Sequence, residues 1–134
     1  MGYLIDSDWV VDHLANDEAA NHLLSRLSEE GIAISIITYI ETYQGVLRSP
    51  TLGEAERKLE AFVDTVSILS ISPAVARRCA HIREILRKQG KEFRRRAFDL
   101  LIAATAVEHD LILVTRNRED YEDVPNIRFY QPSA

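Results

Sequence analysis

Short apolar runs alternate along the chain with segments whose apolar residues recur at helical spacing. The first run covers 3–5, and a second covers 32–34. Between them, apolar residues share one face of a segment that begins after Asp17 and ends before Gly31. Because aspartate often caps the start of a helix and glycine often follows its end, this pattern predicts a strand, a helix and a strand in that order.

The middle of the chain continues this alternation. Ser35 can cap a helix over 35–47, and Thr51 with Glu54 forms a capping box that would open a helix ending near Asp64. The run 66–71 is short and rich in β-branched residues, which is typical of a central strand. We therefore expect two helices and one strand in this part.

The last third of the chain predicts two long helices and two more strands. Pro73 suits the first turn of a helix over 72–90, because the N–H that proline lacks would have no partner there. A second helix covers 98–109, and the runs 111–115 and 127–130 are predicted strands with a short helical turn between them. Apolar strands separated by helices predict an α/β fold, with a mostly parallel sheet of four to five strands covered on both faces.

Composition narrows the class of protein. The 134 residues, 46% of them hydrophobic, fit one ordinary domain over 1–134. Cys79 is the only cysteine, so no disulfide can form within the chain and a zinc site is not expected. The apolar runs are too short to span a bilayer and the start lacks a basic export signal, so we expect a cytoplasmic protein without a membrane segment. The net charge of −5 argues against nucleic-acid binding by the whole surface but leaves a local patch open.

Acidic and amide side chains follow two of the predicted strands. Asp6 and Asp8 come directly after the first strand, and Asn117 and Asp120 stand in the same relation to the strand over 111–115. Ligand sites in open parallel sheets lie outside the carboxyl ends of the strands. Taken alone, each of these residues could be an ordinary helix cap or turn residue. Their shared position at one sheet edge makes them candidate site residues.

Two further acids lie in apolar helices. Glu41 follows Ile37 and Ile40, and Asp99 begins a nearly all-apolar helix. A charge there is unfavourable unless it is paired or metal-bound, although Glu41 could pair with an arginine and Asp99 could serve as a cap. Several acids gathered at one edge would repel one another unless a divalent cation neutralised them, and oxygen ligands favour Mg²⁺ or Mn²⁺. The residues by themselves leave a metal site and ordinary structural roles both open.

Four blocks of sequence, in order along nearly the whole chain, resemble the PIN-domain ribonucleases, particularly the VapC-like toxins of prokaryotic toxin-antitoxin pairs. The blocks are 3–8, 35–41 with Gly45, 99–106, and 113–117 with Asp120 and Tyr121. Each block alone is a weak signal, and their order makes the combination specific. The resemblance implies a PIN-like three-layer α/β/α sandwich and a Mg²⁺-dependent endoribonuclease, with Mn²⁺ able to replace Mg²⁺.

The resemblance also implies roles for five residues, which we take as the predicted catalytic set. Asp6 and Asp99 would be the principal metal ligands, and Glu41 would be the acid contributed by a helix. The family has a fourth acidic or amide position just after the Val-Thr-Arg strand end. Here that position is Asn117, so any fourth negative charge must come from Asp120.

The chain departs from the family pattern in two places. After the first aspartate the family commonly has Thr-Asn, whereas this chain has Ser7 and Asp8. Ser7 keeps the hydroxyl, and Asp8 adds a charge that could recruit another cation or bind the metal through water. The family also often has Phe where Tyr121 stands. Neither change argues for an inactive site.

The implied chemistry is hydrolysis of RNA phosphodiester bonds. Because water attacks rather than the ribose 2′-hydroxyl, the products should carry 5′-phosphate and 3′-hydroxyl ends. Nine of the 16 basic residues lie within 77–96. Those nearest Asp99 can reach a phosphate close to the metal, while the alternative is a solvated helix face and loop. The predicted RNA contacts are Arg94, Arg95, Arg96 and Arg116.

The resemblance implies protein partners as well as RNA. The basic surface could also be covered by the acidic tail of a cognate VapB-like antitoxin. The resemblance implies a homodimer as well. Large apolar groups recur in the early helices, and those that the core does not need could form either a dimer contact or a groove for an antitoxin helix.

Two other functions remain open from the sequence. The run Asp6-Ser7-Asp8 also resembles the DxD start of haloacid-dehalogenase-type phosphatases, but Glu41 and Asp99 would have no role in such an enzyme. The second alternative is a PIN fold kept only as an RNA-binding module. The presence of all three principal acids argues against it.

Overall fold

Within residues 2–132, which the computed structural model describes, the chain forms four strands. They are β1 (Tyr3–Ile5), β2 (Ile32–Ser35), β3 (Ser67–Leu69) and β4 (Ile112–Val114). Their order in the sheet is β3-β2-β1-β4, and each neighbouring pair is parallel. The first strand therefore lies inside the sheet, between β2 and β4.

Six α-helices and two 3₁₀ turns complete the described part of the chain. The helices are α1 (Ser7–Leu14), α2 (Glu18–Ser28), α3 (Ile36–Leu47), α4 (Leu52–Val63), α5 (Pro73–Lys88) and α6 (Ala97–Glu108), and the 3₁₀ turns are Arg94–Arg96 and Arg118–Asp120. Two of the predicted caps are confirmed: Asp17 accepts the Ala20 N–H at 2.9 Å, and Ser35 accepts the Ile37 N–H at 3.0 Å. Each satisfies a backbone donor that the first helical turn leaves unpaired.

The helices form two layers because successive strand residues point to opposite faces of the sheet. On one face, Leu4 and Leu113 pack with α5 and α6. On the other, Ile5 and Val114 pack with α1, α2 and α4. All four of these side chains are buried. This arrangement confirms the predicted three-layer α/β/α fold with a parallel sheet.

Helix α1 is an element that the sequence pattern did not predict. Its apolar residues include Trp9, Val10 and Leu14, but only Val10 is fully buried. The helix therefore buries little apolar surface, and Val11 on it is exposed. It is fixed instead at its start, where Asp6 accepts the Ser7 N–H at 2.8 Å.

Two predictions about strands need correction. The run 66–71 forms an edge strand rather than a central one, since β3 has β2 as its only neighbour in the described sheet and Ile68 is exposed. The run 127–130 does not form a strand. It adds one parallel bridge between Leu113 and Phe129, made by backbone hydrogen bonds that involve a single residue of β4.

The predicted capping box at Thr51 is wrong. Thr51 makes no side-chain hydrogen bond to α4, and its hydroxyl lies 3.3 Å from the Ser49 hydroxyl. The Thr51 N–H also donates to Ser49 Oγ, at 3.1 Å. The local turn therefore takes the groups that a capping box would use.

Among the helices of residues 2–132, none has the length and the apolar composition of a membrane-spanning segment.

The order of the strands creates a crevice between β1 and β4. The chain passes from β1 to β2 and then β3 in one direction, and it returns to the other side of β1 to form β4. In open α/β sheets, ligands bind beyond the carboxyl ends of the strands at such a reversal. Asp6 directly follows β1 and Thr115 directly follows β4, so both lie at this position.

Candidate active site

Asp6 occupies the crevice at the end of β1 and is only 5% exposed. Its Oδ1 accepts the Ser7 N–H at 2.8 Å. Its Oδ2 accepts the hydroxyls of Thr115 at 2.7 Å and Tyr121 at 3.0 Å. A buried carboxylate is tolerated when such donors replace its water. Because the donors come from α1, the end of β4 and the following turn, they hold the Asp6 carboxylate in one position.

The Tyr121 hydroxyl joins the two acids predicted to be the main metal ligands. Besides its bond to Asp6, it lies 3.4 Å from Asp99 Oδ1. The side chain is 2% exposed, and burial together with the charges of Asp6 and Asp99 raises the pKa of Tyr121 far above its usual value. The hydroxyl therefore keeps its proton and acts as a donor between two carboxylates.

Asp99 lies in the first turn of α6 and is half-buried. Burial raises the pKa of Asp99, and the charges of Asp120 and Asp6 raise it further, while Tyr121 and Arg96 act in the opposite direction. The structure thus places Asp120 within electrostatic reach of Asp99. These carboxylates form one acidic group in which negative charge is incompletely neutralised.

Glu41 belongs to the same acidic group. Burial raises its pKa, as do the nearby charges of Asp6, Asp99 and Asp8, and a hydrogen bond from the Ser7 hydroxyl lowers it. No arginine within 2–132 forms an ion pair with Glu41. The alternative of a simple structural ion pair is therefore wrong for Glu41.

Asp8 and Asn117 form a border beside this group. Asp8 Oδ2 accepts the Arg116 N–H at 2.9 Å and lies 3.4 Å from Asn117 Nδ2, while Oδ1 accepts the Trp9 N–H at 2.7 Å. Burial is the main reason why the pKa of Asp8 is raised. Asn117 thus contacts Asp8, and Asp8 joins the end of β4 to the start of α1.

The donor set fits Mg²⁺ or Mn²⁺ held by two carboxylates. Across residues 2–132, no three His, Cys, Asp or Glu side chains form a complete set of ligands around one point. Mg²⁺ commonly needs fewer protein ligands, because it keeps several waters and binds through one or two carboxylates together with substrate phosphate. Asp6 and Asp99, joined by the Tyr121 hydroxyl, supply such a pair.

Residues 3–126 match the family model of the PIN domain. The chain belongs to the PIN-domain family. The match confirms the resemblance to PIN-domain proteins. The five predicted catalytic residues lie within the matched range, and their roles stay predictions. The match also separates the chain from the DxD-type phosphatases.

Three similar proteins place the chain within this family. It is 27% identical over 126 residues to the tRNA(fMet)-specific endonuclease VapC of Shigella flexneri, covering 94% of each chain. It is 32% identical over 127 residues to ribonuclease VapC19 of Mycobacterium tuberculosis, covering 93% of this chain and 96% of that one. The fold matches a chain in the crystal structure of VapBC2 from Rickettsia felis bound to a DNA fragment from their promoter, with a TM-score of 0.86, 25% identity and coverage of 99% and 100%. The chain is therefore a PIN-domain protein of the VapC ribonuclease type.

Arg96, one of the four arginines predicted to contact RNA, has a structural position in this PIN domain. Its guanidinium donates to both carboxylate oxygens of Asp123, at 2.6 and 2.9 Å, and to the Asp120 carbonyl at 2.9 Å. The side chain is only 19% exposed. Arg96 therefore ties the start of α6 to the turn that carries Tyr121.

The other predicted RNA contacts differ in their surroundings. Arg94 lies over the Phe93 ring at 5.6 Å, and Arg95 is exposed. Arg116 forms an ion pair with Asp12. Of the four, Arg94 and Arg95 keep the surroundings expected of phosphate contacts.

Two side chains that contact the acids of the candidate site were missed by sequence reasoning. Thr115 was treated only as part of a strand end, yet its hydroxyl holds Asp6. Tyr121 was noted only as a departure from Phe, yet its hydroxyl joins Asp6 and Asp99. The exchange of Phe for Tyr beside an acidic site was the available signal, because a buried tyrosine hydroxyl needs a partner.

Proposed function

We propose that this PIN-domain protein is a Mg²⁺-dependent endoribonuclease that hydrolyses RNA to fragments with 5′-phosphate and 3′-hydroxyl ends. The observation that carries the proposal is the meeting of Asp6 and Asp99 at the Tyr121 hydroxyl, in the crevice between β1 and β4. The relatives named tRNA(fMet)-specific endonuclease and ribonuclease support the same activity.

The acidic residues have different roles in the proposed reaction. Mg²⁺ held at the site would neutralise charge on the phosphoryl oxygens and favour ionisation of the attacking water. Asp6 and Asp99 would hold the ion, with Mn²⁺ able to replace it. Glu41 has a raised pKa, so its carboxylate takes up a proton more readily than an ordinary glutamate and is suited to accept the proton of the water. Asp120 adds negative charge close to Asp99, and Asn117 lies at the border of the site beside Asp8.

The proposal is tested with the purified chain and its Asp99→Asn variant on bulk transfer and ribosomal RNA. The substitution keeps the size of the side chain and removes one ligand charge. Asp64→Asn is the matched control, because Asp64 is exposed and follows the C-terminal end of α4, away from the crevice. Each protein is assayed in Mg²⁺, in Mn²⁺ and in EDTA.

We expect discrete cleavage by the wild type and by Asp64→Asn in either metal. EDTA should abolish it, and Asp99→Asn should reduce it at least about 100-fold, in the range seen when a group that stabilises the transition state is removed. Metal-independent cleavage, or full activity of Asp99→Asn, would refute the metal site. Absence of cleavage by a folded preparation free of any co-purified protein would favour a silent RNA-binding module.

We also propose that the chain is the toxin of a pair with a VapB-like antitoxin and forms a homodimer in the cytoplasm. The solved VapBC2 complex supports an antitoxin partner, and the exposed side chains of Ile40 and Leu47 on α3 favour a further protein contact. Co-expression with the product of the neighbouring gene tests the first part by co-purification. Analytical ultracentrifugation of the chain alone tests the second.

A further inference from the structure

Arg116 and Trp9 form a stack beside the acidic group. The guanidinium of Arg116 lies 3.9 Å from the centroid of the Trp9 ring. Its backbone N–H donates to Asp8, and the preceding residue, Thr115, donates its hydroxyl to Asp6 at 2.7 Å. The stack is therefore one residue away in sequence from Thr115, whose hydroxyl contacts the Asp6 carboxylate.

The Arg116 guanidinium has two neighbours among the side chains that surround it. Its Cζ lies over the Trp9 ring, and Nη1 pairs with Asp12. The Arg116 side chain is nevertheless 40% exposed. With Trp9 on one side and Asp12 at Nη1, this exposure leaves the side of the guanidinium away from Trp9 as the place where a ligand can approach.

The charges around Arg116 favour stacking over phosphate binding. Asp12 already pairs with the guanidinium, and the Asp8 carboxylate accepts the backbone N–H of the same residue. This local group, one cation with two anions, is a poor binding site for a further anion. Stacking on a base does not depend on this balance of charges. Guanidinium planes stack on unpaired bases of single-stranded RNA.

We propose that the Trp9–Arg116 stack is a platform for one unpaired nucleobase, which places the adjoining phosphate at the acidic group. This inference rests on the RNA substrate proposed above and specifies its class, a single-stranded segment or loop. A paired base has neighbours on both of its faces within the duplex, so it cannot enter the platform without unstacking. For Arg116, a stacking contact to a base thus replaces the phosphate contact predicted from the sequence.

The test compares binding of two probes by fluorescence anisotropy. One probe is a short fluorescein-labelled RNA of mixed sequence, and the other is the same strand annealed to its complement. Ca²⁺ replaces Mg²⁺ in the binding buffer, because it also binds carboxylate and phosphate oxygens, and gels check that the probes stay intact. The wild type is compared with Arg116→Lys, which keeps the charge and removes the plane, and with Arg95→Lys as the control at an exposed arginine.

We expect Arg116→Lys to weaken binding of the single strand about tenfold, as for loss of one stacked base, with much less effect on the duplex. Arg95→Lys should leave the ratio of the two affinities unchanged. Trp9→Phe keeps a ring beneath the guanidinium and should retain most of the preference, whereas Trp9→Leu should lose it. Thermal melts followed by circular dichroism confirm that each variant is folded.

Unchanged single-strand binding by folded Arg116→Lys would overturn the platform, since a charge contact would then be sufficient. An equal loss on both probes would also overturn it. Cleavage of bulk RNA in Mg²⁺ is measured separately. If the wild type cuts RNA while Arg116→Lys keeps the single-strand preference, the platform fails and the ribonuclease function stands. If nothing is cut but the preference depends on Arg116, the platform stands and the ribonuclease function fails.

Discussion

At the scale of single residues, the site depends on how a few hydroxyl groups share their protons among carboxylates. The Tyr121 hydroxyl has one proton and two acidic neighbours, at 3.0 Å from Asp6 and 3.4 Å from Asp99. In the absence of a cation, this donor reduces the repulsion between the two carboxylates. A bound divalent ion would reduce the repulsion between the two carboxylates more strongly.

Tyr121→Phe should therefore lower the melting temperature of the metal-free protein and increase the rise in melting temperature caused by Mn²⁺. Loss of a hydrogen bond to a charged group destabilises by about 1.5 to 3 kcal/mol, and bound metal should recover part of that loss. Differential scanning calorimetry with and without Mn²⁺ measures both effects. An unchanged Mn²⁺ shift in a less stable variant would mean that the hydroxyl supports the fold but does not substitute for the ion.

The acids of the site were predictable from sequence because their positions follow from the topology. Asp6 ends an apolar run and Asp99 begins an apolar helix, and parallel strands bring their carboxyl ends to one edge. The roles of Thr115 and Tyr121 were not predictable in this way. They depend on the exact path of the segment after β4, which the sequence pattern does not determine.

At the scale of elements, the ion pair between Arg96 and Asp123 connects α6 to the turn after β4. Both side chains are about one-fifth exposed, at 19% and 22%. The Asp99 charge contributes to the raised pKa of Arg96, although Asp123 is the main cause. This pair holds Tyr121 against the first turn of α6, so it positions the site without facing the crevice itself.

Arg96→Lys should lower the free energy of unfolding by about 1 to 2 kcal/mol, because lysine keeps the charge but cannot make the bidentate contact. Urea denaturation measures this change, and Arg95→Lys should shift the curve very little. The same variant should have reduced RNA cleavage, since Tyr121 is held less firmly. Equal free energies of unfolding for Arg96→Lys and Arg95→Lys would show that the bidentate contact does not stabilise the fold.

The strands and helices were predicted correctly where the hydrophobic pattern was strong. Predictions failed where tertiary contacts decide whether an element forms and where it lies. The runs at 3–5 and 32–34 form strands, and all of their residues are buried except the partly buried Ile32. The run 66–71 looked central from its composition, but strand order depends on the crossover to β4, and β3 lies at the edge. Helix α1 was missed because it has only eight residues, follows directly after β1 and has a single fully buried residue, Val10.

At the scale of the whole molecule, a chain with a net charge of −5 gathers several carboxylates in one crevice. Burial and mutual repulsion raise the pKa values of Asp99 and Glu41. A raised carboxyl pKa means that the folded state binds a proton more readily than the unfolded state, so the metal-free fold loses stability as pH rises through that pKa. The acidic site is thus unfavourable for stability until a cation binds.

Asp99→Asn should therefore raise the melting temperature of the metal-free protein at neutral pH, by about 2 to 4 °C after allowance for solvent screening. The difference from the wild type should shrink as pH falls through the raised pKa of Asp99 towards its ordinary value of 3.8, because the wild-type carboxyl then becomes neutral too. Calorimetry across this pH range measures the difference in melting temperature between the variant and the wild type. A variant less stable than the wild type at neutral pH would contradict the repulsion between the acids.

The most direct test of the central claim is the chemistry of the ends produced when the wild type cuts RNA in Mg²⁺. The fragments are treated with a ligase that requires a 5′-phosphate, and their 3′ ends are examined for a hydroxyl or a cyclic phosphate. Water attack at a site held by Asp6 and Asp99 predicts 5′-phosphate and 3′-hydroxyl ends. Fragments with 5′-hydroxyl and 2′,3′-cyclic phosphate ends would show that the ribose hydroxyl attacks, and would contradict the account.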